Sequence, residues 1–285
     1  MTHHHKAIAA TGMALLLAAC SSSDPDTATD AGAPSTIEHE RPTSSVDELV
    51  AVTDGRMHIR CSGSGDATVL LIAGWDQGSD AWAAVEPAIA DETRVCAYDR
   101  FGTGTSDAPS TPQTFDDHVT DLHELLEKID EPGPYVVVGH SFGGATAATF
   151  ASTYSDDVAG LMLLDPSPRR WPYTVCSVPA YAGGCALMRE PTQGERLDVF
   201  PAFDGLARID TLRALPMTVV SAAHRSAAGL APEEVARLDA VWAEGTEDWA
   251  QLSTRSSIIT LEDVGHEIQA ERPDLVIAEV TKLLE

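Results

Sequence analysis

The chain has 285 residues, 44% of them hydrophobic, and carries 18 Lys and Arg against 44 Asp and Glu, a formal net charge of −26 at pH 7. Such an acidic surface repels nucleic acid, anionic lipid headgroups and polyanionic substrates, which excludes nucleic-acid partners and favours neutral or cationic small molecules. The length and apolar content suit one domain with a sizeable core and a short insertion.

In chain order, residues 1–19 read as a targeting segment: a polar start with Lys6, an apolar run from Ala7 to Ala19, and Leu17-Ala18-Ala19 ahead of Cys20. That run is too short to span a bilayer. It resembles a bacterial lipoprotein signal, which implies removal of 1–19 and acylation of Cys20. The expected location is then the outer face of the cytoplasmic membrane or the cell envelope, with the membrane touched only through the lipid on Cys20. The alternative is an ordinary secretory signal cut elsewhere. Residues 20–46, rich in Ser, Asp, Thr, Ala and Pro, are expected to be a disordered tether.

Residues 47–285 form the expected folded domain. Setting Cys20 aside leaves Cys61, Cys96, Cys176 and Cys185, an even number in a chain bound for an oxidising compartment. Three pairings are open; the short gap favours Cys176 with Cys185, which leaves Cys61 with Cys96. No Cys-x-x-Cys spacing with a nearby His points to a metal.

From Glu48 onward short apolar runs alternate with amphipathic segments, the pattern of an α/β fold with a mostly parallel eight-stranded sheet covered on both faces. Asp54-Gly55 predicts an opening hairpin. Further strands are expected at Thr68 to Ala73, Arg94 to Tyr98, Tyr135 to Gly139, Gly160 to Asp165, Met217 to Ser221 and Ser257 to Leu261. A helix from Thr114 to Ile129 puts Phe115, Val119, Leu122, Leu125, Leu126 and Ile129 on one face behind a Thr-x-x-Asp capping box. A last helix opens at Pro273. The stretch from about 166 to 214, after the sixth strand, breaks the alternation and reads as a cap over the functional site.

Tyr135-Val136-Val137-Val138 runs into Gly139-His140-Ser141-Phe142-Gly143-Gly144 and then a helix-prone Ala-rich run, so Gly-x-Ser-x-Gly falls at a strand-to-helix turn. Such a turn strains Ser141, and side chains at the flanking glycines would collide with the neighbouring strand and helix. A serine hydroxyl needs a base to attack a carbonyl, and Glu262-Asp263-Val264-Gly265-His266 after the last strand delivers His266 to the sheet's carboxyl edge. His39, His58, His118, His123, His140 and His224 lack that placement. Asp165, ending the sixth strand, lies between Ser141 and His266 in chain order and is the chosen carboxylate, with Asp210 and Asp239 as competitors. The backbone N–H groups of Phe142 and Trp75 are the expected oxyanion donors, and Trp75, His140, Trp171 and Tyr173 the expected pocket residues.

From about Glu48 to Glu285 the chain resembles the α/β-hydrolase superfamily. The resemblance rests on Gly74-Trp75 in place of its His-Gly oxyanion motif, on Tyr98-Asp99-Arg100-Phe101-Gly102-Thr103-Gly104-Thr105-Ser106 as its Asp-x-x-Gly-x-Gly-x-Ser turn, and on Gly-His-Ser-Phe-Gly-Gly at the elbow. It implies a triad of Ser141, Asp165 and His266. Ala73 departs from the usual His, and the acid follows the sixth strand instead of the seventh. Serine at position 141 argues against the branches with an aspartate nucleophile, the dehalogenases and epoxide hydrolases. The expected activity is hydrolysis of a small-molecule ester-like substrate through an acyl-enzyme, with no metal or organic cofactor implied. An aminopeptidase using Glu190 or Asp198, and a non-catalytic surface binding module, are the alternatives.

Overall fold

The computed structural model describes residues 42–178, 185–186, 188–189, 194–223 and 231–285. The leader, Cys20 and the tether up to residue 41 lie outside the described residues, as do Glu190 and His224. Strand β1 (Val46–Val52) starts at the last residue of the expected tether and pairs with β2 (Gly55–Ser62) in an antiparallel hairpin, with Val52 opposite Gly55. β2 also pairs antiparallel with β4 (Arg94–Tyr98). Every remaining pairing is parallel, through β3 (Thr68–Ile72), β5 (Tyr135–His140), β6 (Val158–Leu164), β7 (Pro216–Ala222) and β8 (Arg255–Leu261). The eight strands lie in the order β1-β2-β4-β3-β5-β6-β7-β8.

Why the middle strands are continuous apolar runs follows from this order. All residues of β3, β4 and β5 are buried, because helices cover both faces of a parallel sheet. One face packs under α2 (Phe115–Lys128) and α3 (Phe142–Thr153), burying Leu122, Leu125 and Phe150. The other packs under α1 (Glu86–Ala90) and the C-terminal helix Pro273–Leu284, burying Val85, Ile89, Val276 and Val280. α2 begins as expected: the Thr114 hydroxyl accepts from the Asp117 N–H, and the Asp117 carboxylate accepts from the Thr114 N–H at 2.7 Å. β8, an edge strand with no fully buried residue, extends two residues earlier than its apolar content predicts, because Arg255 and Ser256 pair with Pro216 and Met217.

The segment 166–214 holds no strand of the sheet among its described residues. It contains the short helices α4 (Trp171–Val175) and α5 (Val199–Gly205) and a 3₁₀ turn at Leu206–Arg208. A bridge from Leu197 to Gln113 ties it to the entry of α2. The cysteines pair as the spacing favours, Cys61 with Cys96 across adjacent strands and Cys176 with Cys185 inside this segment. Among the described residues no helix is long and apolar enough to cross a membrane.

Candidate active site

β5 runs through Gly139-His140 into α3 with no linker, and the junction residue Ser141 takes φ 55° and ψ −119°. That conformation costs of order 1–3 kcal/mol for a residue with a side chain and persists only where the surroundings enforce it. The enforcing contacts are backbone. A Cβ at Gly143 would collide with the Ile72 and Ala73 carbonyls at the end of β3, and one at Gly139 with the Gly143 carbonyl. Strand, turn and helix are therefore in direct backbone contact, and the turn holds the Ser141 hydroxyl at the carboxyl edge of the sheet.

Two other strand ends bring their side chains to it. His266, in the loop after β8, has Nε2 3.0 Å from Ser141 Oγ and Nδ1 2.6 Å from Asp165 Oδ2. Asp165 follows β6 directly and is fully buried, its Oδ1 accepting from the Ala222 N–H at 3.2 Å. An ionised carboxylate only accepts, so Nδ1 carries the imidazole proton and the Nε2 lone pair faces the serine hydroxyl. Of the competing carboxylates, Asp210 is exposed and Asp239 is half-buried on the long helix Pro232–Ala250; the one that reaches His266 is Asp165.

His140, expected to line the pocket, is 1% exposed. It is buried beneath the His266 loop, where its Nε2–H donates to the His266 carbonyl at 2.9 Å. Burial, with the adjacent His266 ring adding to it, pushes its pKa down to about 4, so the ring is neutral and its one proton is committed to that bond. Gln77, to which the sequence assigned no role, joins the same layer: Oε1 accepts from the Gly74 N–H at 3.1 Å and Nε2 donates to Glu267 at 3.1 Å. The loop after β3 and the loop after β8 are thereby tied together beside Ser141.

The N–H groups of Trp75 and Phe142 donate to none of the described residues. The Trp75 ring stacks on Phe142 at 4.9 Å, and Trp171, Phe203 and Phe115 meet the Phe142 ring edge-on at 5.1, 5.3 and 6.5 Å. The residue after Ser141 is thus enclosed by four aromatic side chains, an apolar wall beside the hydroxyl. Phe115 and Phe203 were not expected there; Phe115 reads in sequence as an ordinary core position of α2. Tyr173, also expected in the pocket, is not among the rings around Phe142: it is 43% exposed, its hydroxyl donates to Asp204 at 2.6 Å, and its ring meets Phe200. Two positions apart on α4, Trp171 and Tyr173 project to nearly opposite sides, so only one of them can reach Phe142.

Beneath Trp75 lies a buried ion pair of which the sequence marked only Arg100, as part of a glycine-rich turn. Arg100 is 3% exposed and Glu195, from the 166–214 segment, 1%. Arg100 Nε donates to Glu195 Oε2 at 2.6 Å, and its two terminal nitrogens donate to the Ala73 and Gly74 carbonyls at 2.7 and 2.6 Å. The other Glu195 oxygen accepts from the Asp76 N–H at 2.9 Å. As for metals, Cys61, Cys96 and Glu131 come within reach of one another, but the sulfurs are joined in a disulfide and Glu131 is paired with buried Arg94.

A family model for the alpha/beta hydrolase fold matches residues 67–240. The chain is 40% identical over 112 residues to lipase LipV of Mycobacterium tuberculosis, covering 39% of this chain and 42% of that protein. It is 39% identical over 115 residues to a soluble epoxide hydrolase of Corynebacterium sp., covering 40% of this chain and 39% of that one. The chain therefore spans about two fifths of the length of these relatives. Among solved structures, the ligand-free epoxide hydrolase CorEH superposes with a TM-score of 0.60 at 22% identity, over 84% of this chain and 98% of that one. A thermophilic esterase from Thermogutta terrifontis gives 0.57 at 22%, over 85% and 98%.

Proposed function

The chain belongs to the α/β-hydrolase fold family, and on that premise we propose that it is a serine hydrolase acting on carboxylic esters with a small neutral or apolar acyl group. The observation that carries the reading is the relay Ser141 Oγ, His266 Nε2 at 3.0 Å, and His266 Nδ1 at 2.6 Å from Asp165. In the proposed reaction His266 takes the Ser141 proton as the hydroxyl attacks the carbonyl, and Asp165 holds the imidazole in the productive tautomer and stabilises its cation. The N–H groups of Phe142 and Trp75 receive the oxyanion, His266 returns the proton to the leaving alcohol, and water repeats the sequence to release the acid.

The substrate class rests on two properties of this chain. The aromatic wall around Phe142 suits an apolar acyl chain, and the net charge of −26 disfavours anionic esters. A serine stands at the elbow, where an aspartate nucleophile would serve epoxide or haloalkane opening, so similarity to an epoxide hydrolase does not carry that activity to this chain. The test is reaction of the full chain with a fluorophosphonate, peptide mass mapping, and a panel of p-nitrophenyl esters of increasing acyl length. Labelling at Ser141 with turnover of short esters is the expected result; a folded protein that neither labels nor turns over refutes the reading.

We also propose export as a lipoprotein held by a lipid on Cys20, a reading supported by the leader and the run Leu17-Ala18-Ala19-Cys20. Incorporation of labelled palmitate, abolished by Cys20→Ser, is the check. Retained incorporation in that variant would overturn it.

A further inference from the structure

Of the four backbone N–H groups from Gly74 to Gln77 in the loop that follows β3, three are occupied. Gly74 N–H donates to Gln77 Oε1, Asp76 N–H to Glu195 Oε1, and Gln77 N–H to the Gly74 carbonyl at 3.2 Å. The fourth, on Trp75, has no acceptor among the described residues. Its peptide unit is the one whose carbonyl belongs to Gly74. In a trans peptide the C=O and N–H point in opposite directions, so whatever grips the Gly74 oxygen sets the direction of the Trp75 N–H. The grip is the Arg100 guanidinium at 2.6 Å, with a second nitrogen on the preceding carbonyl, Ala73, at 2.7 Å. A charged donor on the carbonyl also draws electron density from the amide and strengthens the N–H as a donor.

Arg100 is in turn held by a residue from outside the sheet. Glu195 takes Nε of Arg100 on one oxygen and the Asp76 N–H on the other, spanning the loop on both sides of Trp75. The approach is close: a Cβ on Gly102 would collide with the Gly194 carbonyl, and Gly194 itself takes φ 59° against the Asp76 carboxylate. A buried ion pair contributes little to stability by itself, since desolvation offsets much of its attraction. This one has its remaining donors committed to two successive carbonyls of a single loop.

We propose that Arg100 and Glu195 are positioning residues for the oxyanion donor: Arg100 orients and polarises the Gly74–Trp75 peptide, and Glu195 makes that arrangement depend on docking of the 166–214 segment. The inference rests on the serine-hydrolase reading and extends it from the triad to the machinery that sets its second donor.

The experiment uses the full chain as wild type, Arg100→Met, Arg100→Lys and Glu195→Gln. Fluorophosphonate titration gives the fraction of competent sites. kcat and KM for p-nitrophenyl butyrate are then expressed per titrated site, and inhibition constants are measured for an aryl trifluoromethyl ketone, which forms a hemiketal oxyanion with the serine, and for the matching methyl ketone, which binds without forming one appreciably. Expected for Arg100→Met is a loss of kcat per site of about 10-fold to 100-fold, with the trifluoromethyl ketone weakened by a similar factor and KM and methyl ketone binding nearly unchanged. Glu195→Gln and Arg100→Lys should fall in between, because each retains part of the hydrogen bonding. Fewer titratable sites with unaltered kcat and trifluoromethyl ketone affinity per site would make the pair merely structural and overturn the proposal; should Arg100→Met fail to fold, Glu195→Gln decides between the same two outcomes. If the wild type itself fails to label at Ser141, the serine-hydrolase reading is what fails, and this inference falls with it.

Discussion

Asp165 Oδ2 lies 2.6 Å from His266 Nδ1 across 101 positions of sequence, and the carboxylate is fully buried while the imidazole is part-exposed. The acid is placed by the strand that carries it: β6 ends at Leu164, the Asp165 N–H donates to the Val220 carbonyl of β7 at 2.7 Å, and the side chain turns toward the β8 loop.

Replacement of Asp165 by Asn removes the acceptor that holds the proton on Nδ1. The expected result is a fall in kcat of about 10⁴-fold for p-nitrophenyl butyrate, with KM little changed. Asp210→Asn and Asp239→Asn should retain wild-type kcat. Steady-state kinetics on the three variants distinguishes them, and an active Asp165→Asn protein would return the acid to one of its competitors.

Ser141 sits at φ 55°, where a residue with a Cβ is strained and glycine is not. Ser141→Gly should therefore lose ester turnover and gain about 1 kcal/mol of stability, an increase in Tm of a few degrees. Differential scanning calorimetry of the variant beside wild type reads this; a lower Tm would show that the hydroxyl's hydrogen bond to His266 outweighs the backbone strain.

Two buried histidines couple folding to acid. Burial, aided by the charge of Arg100, pushes His118 down to about 3, and neither of its ring nitrogens has a hydrogen-bond partner among the described residues; His140 is pushed down to about 4. Below the ordinary histidine value of 6.5 the unfolded chain takes up these protons and the folded one does not, so stability present above pH 6.5 is lost as the pH falls toward 4, by on the order of 3 kcal/mol per histidine. Asp121 works in the opposite sense, because burial and its neighbours Asp54, Asp117 and Glu124 push it up to about 7. The informative measurement is therefore a difference: urea denaturation of His118→Phe and wild type at pH 7.5 and at pH 4.5. The variant should be at least as stable at pH 7.5, and its advantage should grow by about 2–3 kcal/mol at pH 4.5. A pH-independent difference would refute a neutral, buried His118.

The disulfides should open in order. Cys61 and Cys96 are both buried, in register on adjacent strands, whereas Cys176 is part-exposed in a short segment at the surface. Mild reduction followed by alkylation and mass mapping should modify Cys176 and Cys185 first, with Cys61 and Cys96 protected until the sheet unfolds. Removing the Cys61–Cys96 link, which closes a separation of 35 residues, should cost about 4 kcal/mol.

Much of this was legible in the sequence because it is local. Apolar runs bounded by turn residues mark the strands, since a strand buried on both faces needs an unbroken hydrophobic row. Thr114 and Asp117 mark the start of α2 because a capping box is a contact three residues long. Gly139 and Gly143 mark the turn at Ser141 because the collisions they avoid involve the same short stretch and the strand it packs on. Chain order then placed His266 after the last strand.

What only the tertiary structure decided are contacts between segments whose sequences carry no record of one another. The choice of Asp165 over Asp210 and Asp239 depends on how β6 ends beside β7. Arg100 and Glu195 look in sequence like a turn residue and a surface charge, and become a buried pair only when the 166–214 segment lies over the loop after β3. Phe115 and Phe203 share the wall around Phe142 because α2 and α5 converge there, while Tyr173, with the same composition argument behind it as Trp171, faces solvent on the other side of its helix. Periodicity reports which side of an element is buried; which residue of another element it is buried against is determined by the packing of the whole sheet and its helices.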